Sequence, residues 1–291
     1  MFTAAEATAC RRLLDLALEE DLGVNGDLTS QAVIPPELPG RAALVARAAG
    51  VVAGLPAAEM TFSVIDPQLS FLTRIPDGSA IAPGAVLAVV SGRMRSILTG
   101  ERTALNFLQR LSGVATATAH YVQTVAGLPC QVLDTRKTTP GWRLLEKYAV
   151  RRGGGHNHRM GLGGGVLIKD NHLAAVGGAG AVAEAVRRAR EKCGSRFPLE
   201  IEVDDLTQLD AALAARPDIV LLDNMGPDLM REAVRRRNAV APGVLLEASG
   251  GVTLATLRAI AESGVDRVSV GALTHSAPAL DIALDYQTDA S

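Results

Sequence analysis

The sequence is poor in aromatic residues, which make up 3% of the chain. Proteins that hold single-stranded nucleic acid stack bases on aromatic platforms, and this chain offers few. It also lacks an excess of positive charge: the formal net charge is −2, which leaves no overall basic footprint for DNA, RNA or an anionic membrane. Any cationic chemistry must be local. Cysteine is scarce. Cys10, Cys130 and Cys193 are odd in number, far apart and without a Cys-x-x-Cys pair, which reads as reduced structural thiols and a cytoplasmic protein. Residues 1–10 lack a basic segment followed by an apolar one, so no secretory signal is visible. Long hydrophobic runs are missing too. The longest uncharged stretch, residues 78–92, is broken by Pro83, Gly84 and Ser91, and a bilayer span takes roughly 20 consecutive apolar residues. Neither glycine-rich phosphate motif occurs: no G-x-G-x-x-G opens a helix, and there is no G-x-x-x-x-G-K-[ST].

What is present is a chain of 291 residues, 48% apolar and 21% charged, long enough for one large domain or two modest ones with a sizeable core. Residues 8–20 carry Leu13, Leu14 and Leu18 at helical spacing beside Arg11, Arg12, Glu19 and Glu20, and Gly23 stops the helix. Over 41–92, β-prone runs at 42–46, 68–73 and 85–90 are divided by Pro76-Asp77-Gly78 and Pro83-Gly84, with one helix-like segment at 56–64. This pattern predicts a small α+β domain. A long helix is expected over 96–125, with Ile97, Leu98, Leu105, Leu108 and Leu111 on one side. After Pro129 short apolar runs recur at 131–133, 166–168, 199–203, 218–222, 243–246 and 267–270, with helix-like stretches at 205–216, 227–239 and 253–263. Alternation of this kind implies a parallel sheet. Six strands without a dinucleotide fingerprint favour closure into a barrel over an open doubly wound sheet.

Barrels of parallel strands keep their chemistry at the strands' C-terminal ends. Here those ends carry Asp134-Thr-Arg136-Lys137, then Lys169-Asp170-Asn171-His172, Glu202 with Asp204, Asp223-Asn224, Ser249-Gly250-Gly251, and Gly271-Ala272. Glycines after the last two strands suit a phosphate at a helix N-terminus, where backbone N–H groups can approach the anion; they suit a plain chain turn as well. Residues 151–165, with Arg151, Arg152, His156, His158, Arg159 and two glycine triplets, read as an anion-binding loop or as a solvated basic one. His156, His158, His172 and His275 could alternatively gather zinc, although their spacing matches no compact ligand motif. The cations Arg102, Arg136, Lys137, His158, Arg159 and Lys169 would repel one another in a shared pocket unless a multiply charged anion joined them. Glu202 and Asp223 stand against them. Acids in such a pocket hold a divalent metal, stabilise a developing cation or bind hydroxyls; each could also be half of a structural salt bridge.

Eight segments resemble one family in order: Glu20–Gly23 with Gly26–Ser30, Glu101–Gly113, Asp134–Gly141, Gly153–Leu162, Leu167–His172, Leu221–Asn224, Glu247–Gly251 and Val270–His275. They are similar to the quinolinate phosphoribosyltransferases, also called carboxylating nicotinate-nucleotide pyrophosphorylases. The resemblance implies an incomplete seven-stranded α/β barrel at 111–275 and an N-terminal α/β sandwich at 1–110, to which the tail 276–291 returns. It implies transfer of phosphoribosyl from phosphoribosyl pyrophosphate to quinolinate with decarboxylation, giving nicotinate mononucleotide for NAD biosynthesis. Arg102, Arg136, His158, Arg159 and Lys169 match the quinolinate pocket. Lys137, Glu202, Asp223, Ser249, Gly250, Gly271 and His275 match the phosphoribosyl pyrophosphate site, with Mg2+ held by Glu202 and Asp223 directly or through water. Lys169, Glu202 and Asp223 are the implied catalytic residues. A homodimer or larger assembly is implied, with Arg102 supplied to the neighbouring subunit's site. Gly164 and Trp142 depart from the family's pattern. A related transferase acting on nicotinate, a molybdenum-associated homologue and a non-catalytic anion-binding barrel are the rival readings; Glu202, Asp223 and Lys169 argue against the last.

Overall fold

The computed structural model describes residues 1–178 and 180–287. In chain order its elements are α1 (Ala4–Leu22), α2 (Leu28–Val33), β1 (Pro39–Ala46), β2 (Gly50–Val51), α3 (Leu55–Ile65), β3 (Ser70–Thr73), β4 (Ala80–Ile81), β5 (Val86–Arg93) and α4 (Met94–Thr124). Then come β6 (Gln131–Leu133), α5 (Arg143–Arg152), a 3-10 turn (Leu162–Gly164), β7 (Val166–Ile168), α6 (Asp170–Val176), α7 (Ala181–Cys193), β8 (Leu199–Val203) and α8 (Leu206–Ala215). Last are β9 (Ile219–Asp223), α9 (Pro227–Val240), β10 (Leu245–Ser249), α10 (Leu254–Ala261), β11 (Arg267–Ser269), α11 (Ala272–His275) and β12 (Ile282–Tyr286). The chain forms two units. The first holds residues 1–119, 138–154 and 273–291, of which 288–291 lie outside the described residues; the second holds 120–137 and 155–272.

In the first unit, Thr3 caps α1 by accepting from the Glu6 N–H, while the Glu6 carboxylate accepts from the Thr3 N–H at 2.7 Å. The main sheet runs β12-β1-β5-β3, antiparallel throughout. Leu44 of β1, Leu87 and Val90 of β5, Phe62 of α3 and the Ile97, Leu105 and Leu108 stripe of α4 share one core. Gly113 lets the chain cross α4: a Cβ there would lie 2.0 Å from the Pro278 carbonyl oxygen.

The expected boundaries at 110 and 275 place residues 111–119, 138–154 and 273–275 with the barrel, whereas they group with the first unit. Buried polar pairs account for it. Arg110 donates to Glu146 of α5 at 2.6 Å, and the Tyr148 hydroxyl donates to Asp77 at 2.7 Å. Trp142, one of the two departures, stacks on Phe107 with ring centroids 4.9 Å apart.

The second unit is a parallel sheet in the order β6-β11-β10-β9-β8-β7. Where a seventh strand is expected, one residue pairs: His156 bridges Leu133 of β6. The run Gly153-Gly154-Gly155 before it favours no strand. Beyond it the Asp134 side chain takes over, accepting from the His158 N–H at 2.9 Å and from Asn157 Nδ2 at 2.6 Å. Register decides what faces inward. Leu167 pairs with Glu200, Glu202 with Leu221, Leu221 with Glu247, Asp223 with Ser249 and Glu247 with Arg267. Side chains alternate along each strand, so these residues share one face of the sheet. Glu200, Glu202 and Glu247 are nonetheless buried, as they can be only if that face curls around them.

Candidate active site

All six strands of the second unit contribute to one cavity of about 620 Å³ at their C-terminal ends. Arg136, Lys137, Arg159 and Lys169 line it, as do Glu202, Asp223, His158, Ser249 and Gly250. A larger cavity of about 740 Å³ opens at the opposite ends of the strands, but proline and aliphatic residues of 216–219 and 240–245 dominate its wall. Convergent charge, not volume, locates the site.

The electrostatics follow from this crowding. Burial disfavours the charged Arg159 guanidinium, the Arg136 charge adds to that, and together they lower its pKa. Arg159 donates to the Gly165 carbonyl at 3.1 Å, which aims its planar fork. Lys169 follows β7 and pairs with Glu202, itself nearly buried. Asp223 at the tip of β9 accepts from Asn224 Nδ2 at 2.7 Å. Four cations thus face two carboxylates, leaving an excess of positive charge for an anion of more than one charge.

Beneath this layer lies a buried polar cluster. His158 Nε2 is 3.1 Å from Glu200 and 3.4 Å from Glu247, and Arg267 Nε is 3.0 Å from Glu247. Burial lowers the proton affinity of His158, but the two glutamates outweigh it and raise the pKa to about 9. Burial, reinforced by the Glu247 charge, also raises that of Glu200. Both shifts run in the same direction, toward a proton held within the cluster. The Arg159 N–H donates to His158 Nδ1 at 2.7 Å.

The same contact bears on zinc. A metal-bound histidine normally donates its second ring nitrogen's hydrogen, whereas here Nδ1 accepts. His156 and His172 are exposed, and among the described residues only His158 groups with further metal-ligand atoms. The four histidines are not assembled as a zinc set.

Gly271 follows β11 and does not line the cavity. Arg102 and His275 belong to the first unit; both are exposed, and His275 Nδ1 is 2.7 Å from the Ser276 hydroxyl. Gly164 closes the 3-10 turn and is exposed. Sequence reasoning missed Glu200, Glu247 and Arg267. The signal for Glu200 was available, since Glu200 and Glu202 are two apart in one strand and must share a face.

Comparison with known proteins decides the family. The description "Quinolinate phosphoribosyl transferase, N-terminal domain" matches residues 27–112, and the corresponding C-terminal domain matches 114–285. The chain belongs to the quinolinate phosphoribosyltransferase family. It is 45% identical to the carboxylating nicotinate-nucleotide pyrophosphorylase of Mycobacterium leprae, over 98% of this chain and 100% of that one. To the probable enzyme of the same name from Bacillus subtilis it is 42% identical, over 94% and 92%. Among solved structures, the nicotinate-nucleotide pyrophosphorylase of Francisella tularensis superposes with a TM-score of 0.90 at 38% identity, over 97% of each chain. Human nicotinic acid phosphoribosyltransferase, at 15% identity and a TM-score of 0.60 over 99% of this chain and 75% of that one, shares the fold alone. In this quinolinate phosphoribosyltransferase the buried glutamates Glu200 and Glu247 lie beneath the cationic pocket.

Proposed function

We propose that the chain transfers phosphoribosyl from phosphoribosyl pyrophosphate to quinolinate, releasing pyrophosphate and carbon dioxide and leaving nicotinate mononucleotide. The observation that carries this reading is the convergence of Arg136, Arg159 and Lys169 with Glu202 and Asp223 in one cavity. Two carboxylates on a pyridine suit two arginines and a lysine, while the single carboxylate of nicotinate would leave charge unneutralised. Lys137, Ser249 and Gly250 on the same wall, with Gly271 beyond β11 and His275 of α11, are the proposed contacts of the phosphorylated sugar.

The bond from ribose C1 to pyrophosphate breaks with its electron pair leaving on oxygen. The pyridine nitrogen then bonds to C1, and the ring becomes cationic. No protein nucleophile is needed; the residues orient the partners and offset charge. Glu202 and Asp223 face the carbon that gains positive character. When the adjacent carboxylate leaves as carbon dioxide its electron pair stays on ring C2, next to the cationic nitrogen, and C2 then takes a proton. Lys169 holds that carboxylate beforehand.

Magnesium is the proposed cofactor. Two carboxylates on one wall fit it, because Mg2+ is commonly held by one or two protein carboxylates together with substrate phosphates and water. Bound there, it would neutralise pyrophosphate charge. We place the enzyme in the cytoplasm, as a homodimer or larger assembly in which Arg102, an exposed cation of α4, serves the neighbouring subunit's site. Among the described residues no helix is long and apolar enough to cross a membrane.

Pyrophosphate release tests the activity. Phosphoribosyl pyrophosphate plus quinolinate is expected to yield it, neither alone should, and nicotinate should substitute poorly. Arg136→Ala and Lys169→Ala should each lose about a hundredfold or more in turnover with the fold intact; near-normal turnover in either variant removes that residue from the assignment.

A further inference from the structure

Asn224 has a backbone conformation that L residues rarely adopt, with φ of 54°. Among the described residues Arg216 is the one other non-glycine with positive φ, and it merely ends α8. At Asn224 the left-handed turn falls directly after Asp223, and three contacts exploit it. The side-chain Nδ2 donates to Asp223 Oδ2 at 2.7 Å. The backbone N–H donates to the Ser249 carbonyl at 2.9 Å, tying the tip of β9 to that of β10. The amide also fills the space beside Gly250, where a Cβ would lie 2.1 Å from Asn224 Oδ1 and 2.6 Å from its Cγ. Gly250 itself has φ of 92°, so this position needs glycine twice over, for its backbone and for its neighbour.

We infer that Asn224 is a positioning residue for phosphoribosyl pyrophosphate: latched against Gly250, its amide sets the orientation in which Asp223 meets that substrate. The inference rests on the assignment of Asp223 under the proposed function. A carboxylate at a strand tip has two soft torsions. Glu202 is held by the charge of Lys169, a partner a substrate anion competes for. Asp223 is held by a neutral amide, which carries no net charge for an anion to attract, and the bond to Oδ2 leaves Oδ1 for the ligand. Asparagine suits the place because it tolerates the left-handed region and still carries a donor.

Asn224→Gly tests this, since glycine keeps the backbone turn and removes only the amide. The KM for phosphoribosyl pyrophosphate should rise about tenfold, the size of a lost hydrogen bond to a charged group. The KM for quinolinate should stay within about twofold, since its proposed partners are untouched. Thermal unfolding should not move. Asn224→Asp, which keeps the shape but sets a second carboxylate against the first, should be worse. Asp223→Asn is measured alongside. If it raises the KM for phosphoribosyl pyrophosphate and Asn224→Gly does not, the inference fails while the site assignment stands. If Asp223→Asn leaves that KM unchanged, both fall. Equal rises for the two substrates would reduce Asn224 to a structural role and overturn the inference.

Discussion

His158 separates two environments: it lines the charged cavity on one side, and on the other its Nε2 faces two buried glutamates. Those glutamates are not equivalent. Glu247 is fully buried with Arg267 as its counter-charge, whereas Glu200 is pushed toward its protonated form by burial. Glu200→Gln, which imitates a neutral carboxyl, is therefore expected to change unfolding free energy by less than about 1 kcal/mol. Glu247→Gln strands the Arg267 charge and should cost about 3 kcal/mol. Urea denaturation of the two variants checks this, and equal losses would mean that both glutamates are ionised. The sequence made the upper layer legible, because Arg136, Lys169, Glu202 and Asp223 sit at strand ends where polarity stands out against an apolar run. The lower layer was only half legible: Glu200 shares a face with Glu202 in Leu-Glu-Ile-Glu-Val, whereas the inward turn of Glu247 and Arg267 shows only in the register of β10 with β9 and β11.

Strand phase explains the other misreading. The apolar run at 243–246 suggested a strand there, yet β10 is Leu245–Ser249 and pairs residue for residue with β9. The pairing carries Glu247 inward and delivers Ser249 to the cavity rim opposite Asp223. Hydropathy marks the centre of a buried strand but not the two polar residues with which it ends, and those are the ones used here. The helix α5 went unrecognised for a related reason: its basic end, Arg151-Arg152, runs into glycines and resembles a loop. In α4, where hydropathy is plain, the informative residue is the smallest. Gly113→Ala would press a methyl group onto the Pro278 carbonyl oxygen. A backbone atom cannot swing aside as a side chain would, so a loss of about 2–3 kcal/mol is expected. A denaturation midpoint equal to that of the wild type would show that the crossing chain can move instead.

Chain order and spatial order diverge across the molecule. The first unit draws on three separate stretches of sequence, and the second is threaded between them. The expected return of the tail to the N-terminal domain allows for the third stretch but not for the second, residues 138–154, which lies inside the span expected of the barrel. The edge of the main sheet shows this most directly: β1 pairs along one side with β5 and along the other with β12, from Ala42 with Tyr286 to Ala46 with Ile282. A chain ending at Ala272 would keep every strand of the second unit and lose β12. It is expected to be aggregation-prone through the bared β1 edge, and adding residues 273–287 as a separate peptide should improve its solubility. A monodisperse, protease-resistant truncated chain in size-exclusion chromatography would contradict this.

On the ribosome, then, β1 emerges well before β12, the partner of its second edge. Until β12 is made, one side of that strand offers unpaired backbone N–H and C=O groups to any other chain nearby.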